Sequence, residues 1–276
     1  MGRSWLRSGK VLVISFLLLS NQVSAVSDFV YEQRLSDSVA DSLVEGEAVW
    51  LKSGRHLFLS VFLEAETAHP KGGVLILTGI QDNADSVGPV RFLRREFAAR
   101  GWAAMSLQMP VRNPGFEIKS YLSLVDDSGD RVQVAMNYLA EKELDSVVLI
   151  GHDLGGWMAV DFLKKNPKSA AIALVLVGMP VYRDERYLRA QIETLKNTKI
   201  PVLDLYGSRD LESVVKTAGM RRSWMKKNKS FRQLEIAGAD HEFRNDVSVL
   251  FKRIYGWLTR YAGNTTDDRP SDSKTP

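Results

Sequence analysis

The chain contains no cysteine. That excludes a disulfide framework, a thiolate nucleophile and thiolate metal ligands together, so the fold must be held by packing and by non-covalent polar pairs. Membrane-length apolar runs are missing as well. Val11 to Leu19 is almost unbroken apolar sequence, but a bilayer span needs roughly 20 residues, and no later stretch comes near that. Histidine is scarce, at positions 56, 69, 152 and 241 alone, which leaves few places for imidazole chemistry. A strong surplus of one charge is also lacking. The formal +4 includes Arg3, Arg7 and Lys10, with no acid near them, so removing these three takes it to +1. No nucleic-acid partner is expected on such a balance.

What is present begins with a leader. Arg3, Arg7 and Lys10 precede the apolar run, and Val23-Ser24-Ala25 offers small residues at the two positions a signal peptidase reads. Residues 1–25 are therefore expected to be a cleaved signal peptide, with retention as an uncleaved anchor the alternative. The mature chain would then be periplasmic and keep no transmembrane segment. Residues 26–46 read as an N-terminal arm or short helix, 47–262 as one domain, and 263–276 (NTTDDRPSDSKTP after Gly263) as a disordered polar tail.

Within the domain, Glu47 to Lys52 and His56 to Glu64 form a hairpin about Ser53-Gly54. The run Val74 to Leu77 suits a buried parallel strand. Helices and strands then alternate. Helices are expected over Pro89 to Arg100, Ser128 to Glu141, Gly156 to Lys165, Asp184 to Asn197, Leu211 to Lys227 and Arg244 to Tyr261. Strands are expected over Trp102 to Leu107, Ser146 to Ile150, Ala171 to Val177, Ile200 to Leu205 and Phe231 to Ile236. This pattern gives an α/β fold: a mostly parallel eight-stranded sheet with helices on both faces.

The chemistry-bearing residues sit where strands end. Gly151-His152-Asp153-Leu154-Gly155-Gly156 joins a buried strand to an apolar helix. Glycines flank the central residue because side chains would clash in so sharp a turn. Asp153 is thus lifted above the sheet as a candidate nucleophile. Asp210 follows a later strand, and His241 stands in the loop before the last helix, in the order nucleophile, acid, histidine. His56 and His69 precede the parallel sheet, and His152 sits inside the turn, leaving His241 as the candidate base. Backbone N–H groups of Ile80 and Leu154 are placed to form an oxyanion hole. Asp204, inside a strand, is the weaker acid candidate, and Arg221, Arg222, Lys226, Lys227 and Lys229 read as a solvated helix face. No metal-ligand cluster or phosphate-cradling glycine loop stands out, so no metal and no cofactor are expected.

These residues give the chain a resemblance to the α/β-hydrolase superfamily over about residues 47–261. The GHDLGG turn is similar to the elbow of the aspartate-nucleophile branch, the epoxide hydrolases and haloalkane dehalogenases. Gly46 to Leu51, Gly101 to Pro110 and the elbow itself further resemble an exported, hydrolase-like family of unknown function from Gram-negative bacteria. The resemblance implies the fold and the export route but no substrate. There are departures. Leu154 stands where dehalogenases carry a halide-binding Trp, Thr78-Gly79 replaces the usual His-Gly, and Val177 to Ile200 leaves room for about one helix, hence no full cap domain. Tyr182 and Tyr187 in that stretch are candidate proton donors.

An aspartate at this position constrains the reaction. Its attack on an ordinary ester would give a high-energy anhydride, whereas attack on an sp³ carbon bearing an epoxide or halide gives an alkyl ester that activated water can hydrolyse. The expectation is a hydrolase using Asp153, His241 and Asp210 on an unidentified small molecule. The alternatives are a non-catalytic envelope protein that binds a ligand or protein partner in the cleft, and acyl hydrolysis by a directly activated water.

Overall fold

The computed structural model describes residues 27–261; the leader (1–25) and the tail (263–276) lie outside the described residues. The chain runs through α1 (Phe29–Ser42), β1 (Glu47–Ser53), β2 (His56–Leu63), β3 (Gly73–Leu77), α2 (Pro89–Ala98), β4 (Ala103–Leu107), α3 (Ile118–Leu122) and a 3-10 turn (Ser123–Val125). It continues through α4 (Gly129–Glu141), β5 (Val147–His152), α5 (Leu154–Lys165), β6 (Ala171–Val177), α6 (Glu185–Asn197), β7 (Val202–Gly207), α7 (Glu212–Val215), α8 (Ala218–Trp224), β8 (Arg232–Ile236) and α9 (Val247–Tyr261).

The eight strands form one sheet in the order β1-β2-β4-β3-β5-β6-β7-β8. β2 pairs antiparallel with β1 and with β4, and every other neighbouring pair is parallel. Alternate residues of the central strands feed two cores, as the two-residue period of a strand requires. Leu75, Leu77 and Leu149 face the helices α4 to α6, while Val74, Ile76, Val148 and Ile150 face α2 and α9. A sheet covered on both sides explains why these strands read as unbroken apolar runs. β3 and β5 are neighbours, and the chain leaves β3 for β4 on one side and β5 for β6 on the other. The crevice at the carboxyl ends of β3 and β5 is the switch point where such sheets carry their sites.

In place of disulfides the fold uses buried ion pairs. Arg131 on α4 donates to both oxygens of Glu32 (2.6 and 3.0 Å) and to the Gln108 carbonyl (2.9 Å), which fastens α1 to the domain. Arg94 is held by Asp85 and by the Ala84 carbonyl.

Three expectations need correction. The helix foreseen over 211–227 is broken into α7 and α8. The Val214 carbonyl accepts from Arg221 Nη1 (2.9 Å) and Thr217 Oγ1 (3.2 Å) instead of continuing the helical ladder. Arg221 is not solvated; it is 1% exposed and paired at 2.9 Å with Asp204, which removes Asp204 from the site. Residues 118–125, assigned to no element from sequence, form α3 and the 3-10 turn around buried Leu122, Leu124 and Val125. No helix among the described residues is long and apolar enough to cross a membrane.

Candidate active site

β5 delivers Asp153 into a turn with φ 51° and ψ −121°, a left-handed conformation that non-glycine residues rarely adopt outside constrained sites. The turn closes so tightly that a side chain at Gly151 would meet the Gly155 backbone at 2.5 Å. The carboxyl group beneath it is buried, with 7% side-chain exposure. Its two oxygens differ. Oδ2 accepts the Ile80 N–H at 2.9 Å, and the Leu154 N–H, next along the chain, works to lower the carboxyl pKa. Oδ1 is buried and has no hydrogen-bond partner. Burial drives the Asp153 pKa above the usual carboxylate range, against the pull of His241, His152 and the two N–H groups.

His241 comes from the loop after β8. Its Nδ1 lies 2.6 Å from Asp210 Oδ1 and its Nε2 lies 3.8 Å from Asp153 Oδ1. Asp210 is fixed in turn by the N–H groups of Leu211 (2.7 Å) and Gly207 (3.3 Å). The structure therefore brings Asp153, His241 and Asp210 together, with Ile80 and Leu154 beside the carboxylate.

Sequence reasoning missed two contributors. Gly178, at φ 57°, lies behind the pair: a Cβ there would come within 3.1 Å of the His241 ring and 3.3 Å of Asp210 Oδ2. Its signal was a glycine directly after β6. Asp82, two residues beyond Ile80, faces His152 Nδ1 at 3.2 Å, a contact across 70 residues that no local pattern announces.

The two tyrosines separate. Tyr187 donates to Asp126 at 2.9 Å. Tyr182 packs on Trp157 with ring centroids 5.6 Å apart. Burial first, and then the charge of Asp153, keep its hydroxyl protonated well beyond the ordinary phenol range. Trp157 and Met158 are core residues.

His152, His241 and Glu242 each offer a ligand atom, all within 4.8 Å of one another, a cluster that sequence had not foreshadowed. Both nitrogens of His152 face acceptors, and Nδ1 of His241 faces Asp210. That leaves two uncommitted donors, fewer than the three protein ligands of ordinary catalytic zinc sites. A groove of about 730 Å³ between α6 and α8, floored by Leu188, Ile192 and Trp224, includes none of the site residues; volume without a reactive group there supplies no chemistry.

Residues 22–121 and 123–260 match a family described as "Protein of unknown function (DUF3530)". No protein with a curated description matches the chain. Solved structures of the same fold include the esterase domain of a Rhodothermus marinus protein (14% identity, TM-score 0.63), covering 79% of this chain and 99% of that one. A putative dienelactone hydrolase from Klebsiella pneumoniae subsp. pneumoniae is similar at 16% identity and TM-score 0.61, covering 78% and 98%. An α/β serine hydrolase homologue from Coxiella burnetii is similar at 14% identity and TM-score 0.61, covering 78% and 99%. At these identities the likeness establishes the α/β-hydrolase fold.

Proposed function

The chain belongs to the DUF3530 family and has the α/β-hydrolase fold, and from that premise we propose that it is an exported, periplasmic hydrolase that opens an epoxide or displaces a halide through Asp153. The observation that carries this reading is the asymmetry of the Asp153 carboxylate: Oδ2 is anchored by Ile80 while Oδ1 is unpartnered and faces His241.

In the first step an Oδ1 lone pair attacks the substrate carbon, and the leaving group departs with the bonding electrons. Tyr182 is the candidate donor of the proton an epoxide oxygen needs. In the second step His241 Nε2 takes a proton from water as it attacks the ester carbonyl carbon, with Asp210 stabilising the imidazolium. The charge that develops on Oδ2 is held by the N–H groups of Ile80 and Leu154. Collapse expels the alcohol, whose oxygen is the former Oδ1 and whose proton comes from the His241 imidazolium; the new carboxyl then sheds its own proton, to the Tyr182 phenolate after epoxide opening or to solvent after halide displacement, which restores the carboxylate. No metal or organic cofactor enters this scheme.

Single turnover in heavy-oxygen water is the test. The label is expected in Asp153, detected in its peptide; an active preparation that leaves Asp153 unlabelled sinks the covalent route. Ester turnover that survives Asp153→Ala but not His241→Ala would favour direct water activation instead. The enclosure of the site, with side-chain exposures of 7% at Asp153 and 15% at His241, favours a second reading, a non-catalytic envelope protein. It requires Asp153→Asn and His241→Ala to leave the cellular phenotype intact.

A further inference from the structure

His152 precedes Asp153 in the elbow and takes no part in the steps above. Its side chain is buried, with 3% exposure, and both ring nitrogens are engaged. Nε2 lies 3.1 Å from the His241 carbonyl oxygen. A carbonyl can only accept, so Nε2 carries a hydrogen. Nδ1 lies 3.2 Å from Asp82 Oδ2. Burial works to raise the Asp82 pKa, but bonds from His152, Ser86 and the Gly79 backbone outweigh it and keep the carboxyl ionised. Facing an ionised carboxylate, Nδ1 carries a hydrogen too. A ring with hydrogens on both nitrogens is an imidazolium.

The partners of that ring sit on separate loops. Asp82 follows β3, on the loop that presents the Ile80 N–H to Asp153. His241 follows β8 and lies against His152 with ring centroids 5.1 Å apart and planes tilted 32°. His152 itself ends β5, one bond from the nucleophile.

We propose that His152 is a positioning residue: a buried imidazolium whose two N–H bonds hold the Ile80 loop and the His241 loop at fixed offsets from Asp153. The proposal rests on the reading of Asp153 and His241 as nucleophile and base. A neutral ring could donate to one loop only and would turn a lone pair on the other acceptor, so loss of the proton loosens either the oxyanion hole or the base. The charged groups facing the ring are Asp82, Asp153 and Glu242, with the His241 ring opposite. Burial alone would lower the His152 pKa, but the bond and charge of Asp82 dominate, and Glu242 and Asp153 add to them, carrying it up to about 9.

The test has two arms, both on the full chain. Proton–nitrogen NMR of histidine-labelled protein is expected to show both His152 ring nitrogens protonated at pH 7.5, with deprotonation near pH 9 and a lower midpoint in Asp82→Asn. A neutral His152 at pH 7.5 overturns the proposal. The second arm uses 1,2-epoxy-3-(4-nitrophenoxy)propane as the probe and mass spectrometry of the Asp153 peptide. His152→Gln, which is uncharged and keeps donors on one nitrogen only, is expected to slow alkylation about tenfold to a hundredfold at saturating probe and to abolish the loss of rate near pH 9. Equal rates and equal pH profiles in the two proteins overturn the positioning role. If His152→Gln does not fold, the wild-type rate must itself fall with the NMR midpoint, and a flat profile overturns the role. Wild-type protein that is never alkylated defeats the nucleophile reading instead, and the NMR arm still decides the charge state.

Discussion

His241 Nε2 stands 3.8 Å from Asp153 Oδ1, outside hydrogen-bond range and without a bond to it. A serine in this turn would share a hydrogen with the base; a carboxylate has none to share. The gap therefore suits a division of labour in which the nucleophile needs no activation and the base is needed later, for water.

That division makes the first prediction. His241→Ala should still be alkylated at Asp153 by an epoxide, but should not release the product. Intact-mass measurement is expected to find one equivalent of adduct accumulating per chain, whereas the wild type returns to its starting mass. Failure of the variant to form any adduct contradicts the two-step scheme.

Tyr182 should matter according to the leaving group. An alkoxide leaving group needs a proton and a halide does not, so Tyr182→Phe is expected to slow alkylation by the epoxide probe at least tenfold and to leave alkylation by a bromoalkane nearly unchanged. Equal slowing of both would assign the tyrosine a packing role on Trp157.

Asp153→Asn should stabilise the protein. It removes a buried charge whose Oδ1 has no partner, while the amide oxygen still accepts from Ile80. A gain of about 1 kcal/mol corresponds to about 2–4 °C in Tm for a domain of this size, read by calorimetry.

Stability should fall as alkali is added. The His152 pKa is raised in the fold from 6.5 to about 9. Its contribution is fully present below about pH 6.5 and is lost as pH rises through about 9. Denaturant titrations between pH 6 and 10 should show this decline, and His152→Gln should flatten it; parallel curves for the two proteins would contradict the assignment.

The buried pair of Glu32 and Arg131, 4% and 5% exposed, stands in for a covalent clasp. Glu32→Leu alone strands a buried cation and should cost about 3–5 kcal/mol, together with protease sensitivity around α1. Adding Arg131→Met should restore most of the loss, since the pair holds α1 by fit as much as by charge.

Much of this architecture is readable in one dimension. Val74 to Leu77 and Ala171 to Val177 are apolar throughout because the sheet is covered on both faces, and each candidate triad residue follows a strand, where loops are short and position is predictable. What escaped was decided across the sheet. The break at Lys216-Thr217 depends on where the Arg221 guanidinium lands, and Arg221 looks like any surface cation until Asp204 is seen beneath it. Asp82 and His152 are separated by 70 residues, and periodicity has nothing to say about a partner so distant. The difference between the two oxygens of Asp153 belongs to geometry alone.

On the proposed scheme, the strand order would place the two halves of the reaction on parts of different firmness. Asp153 and Ile80 hang from β5 and β3, each paired on both sides, whereas His241 follows β8, which is bonded to β7 alone. Warming that frays an outer strand would displace the base while leaving the nucleophile seated. Such an enzyme would respond to heat by stalling halfway, its chains tagged with half-processed substrate. Pre-steady-state bursts should therefore grow larger relative to turnover as temperature approaches the melting point.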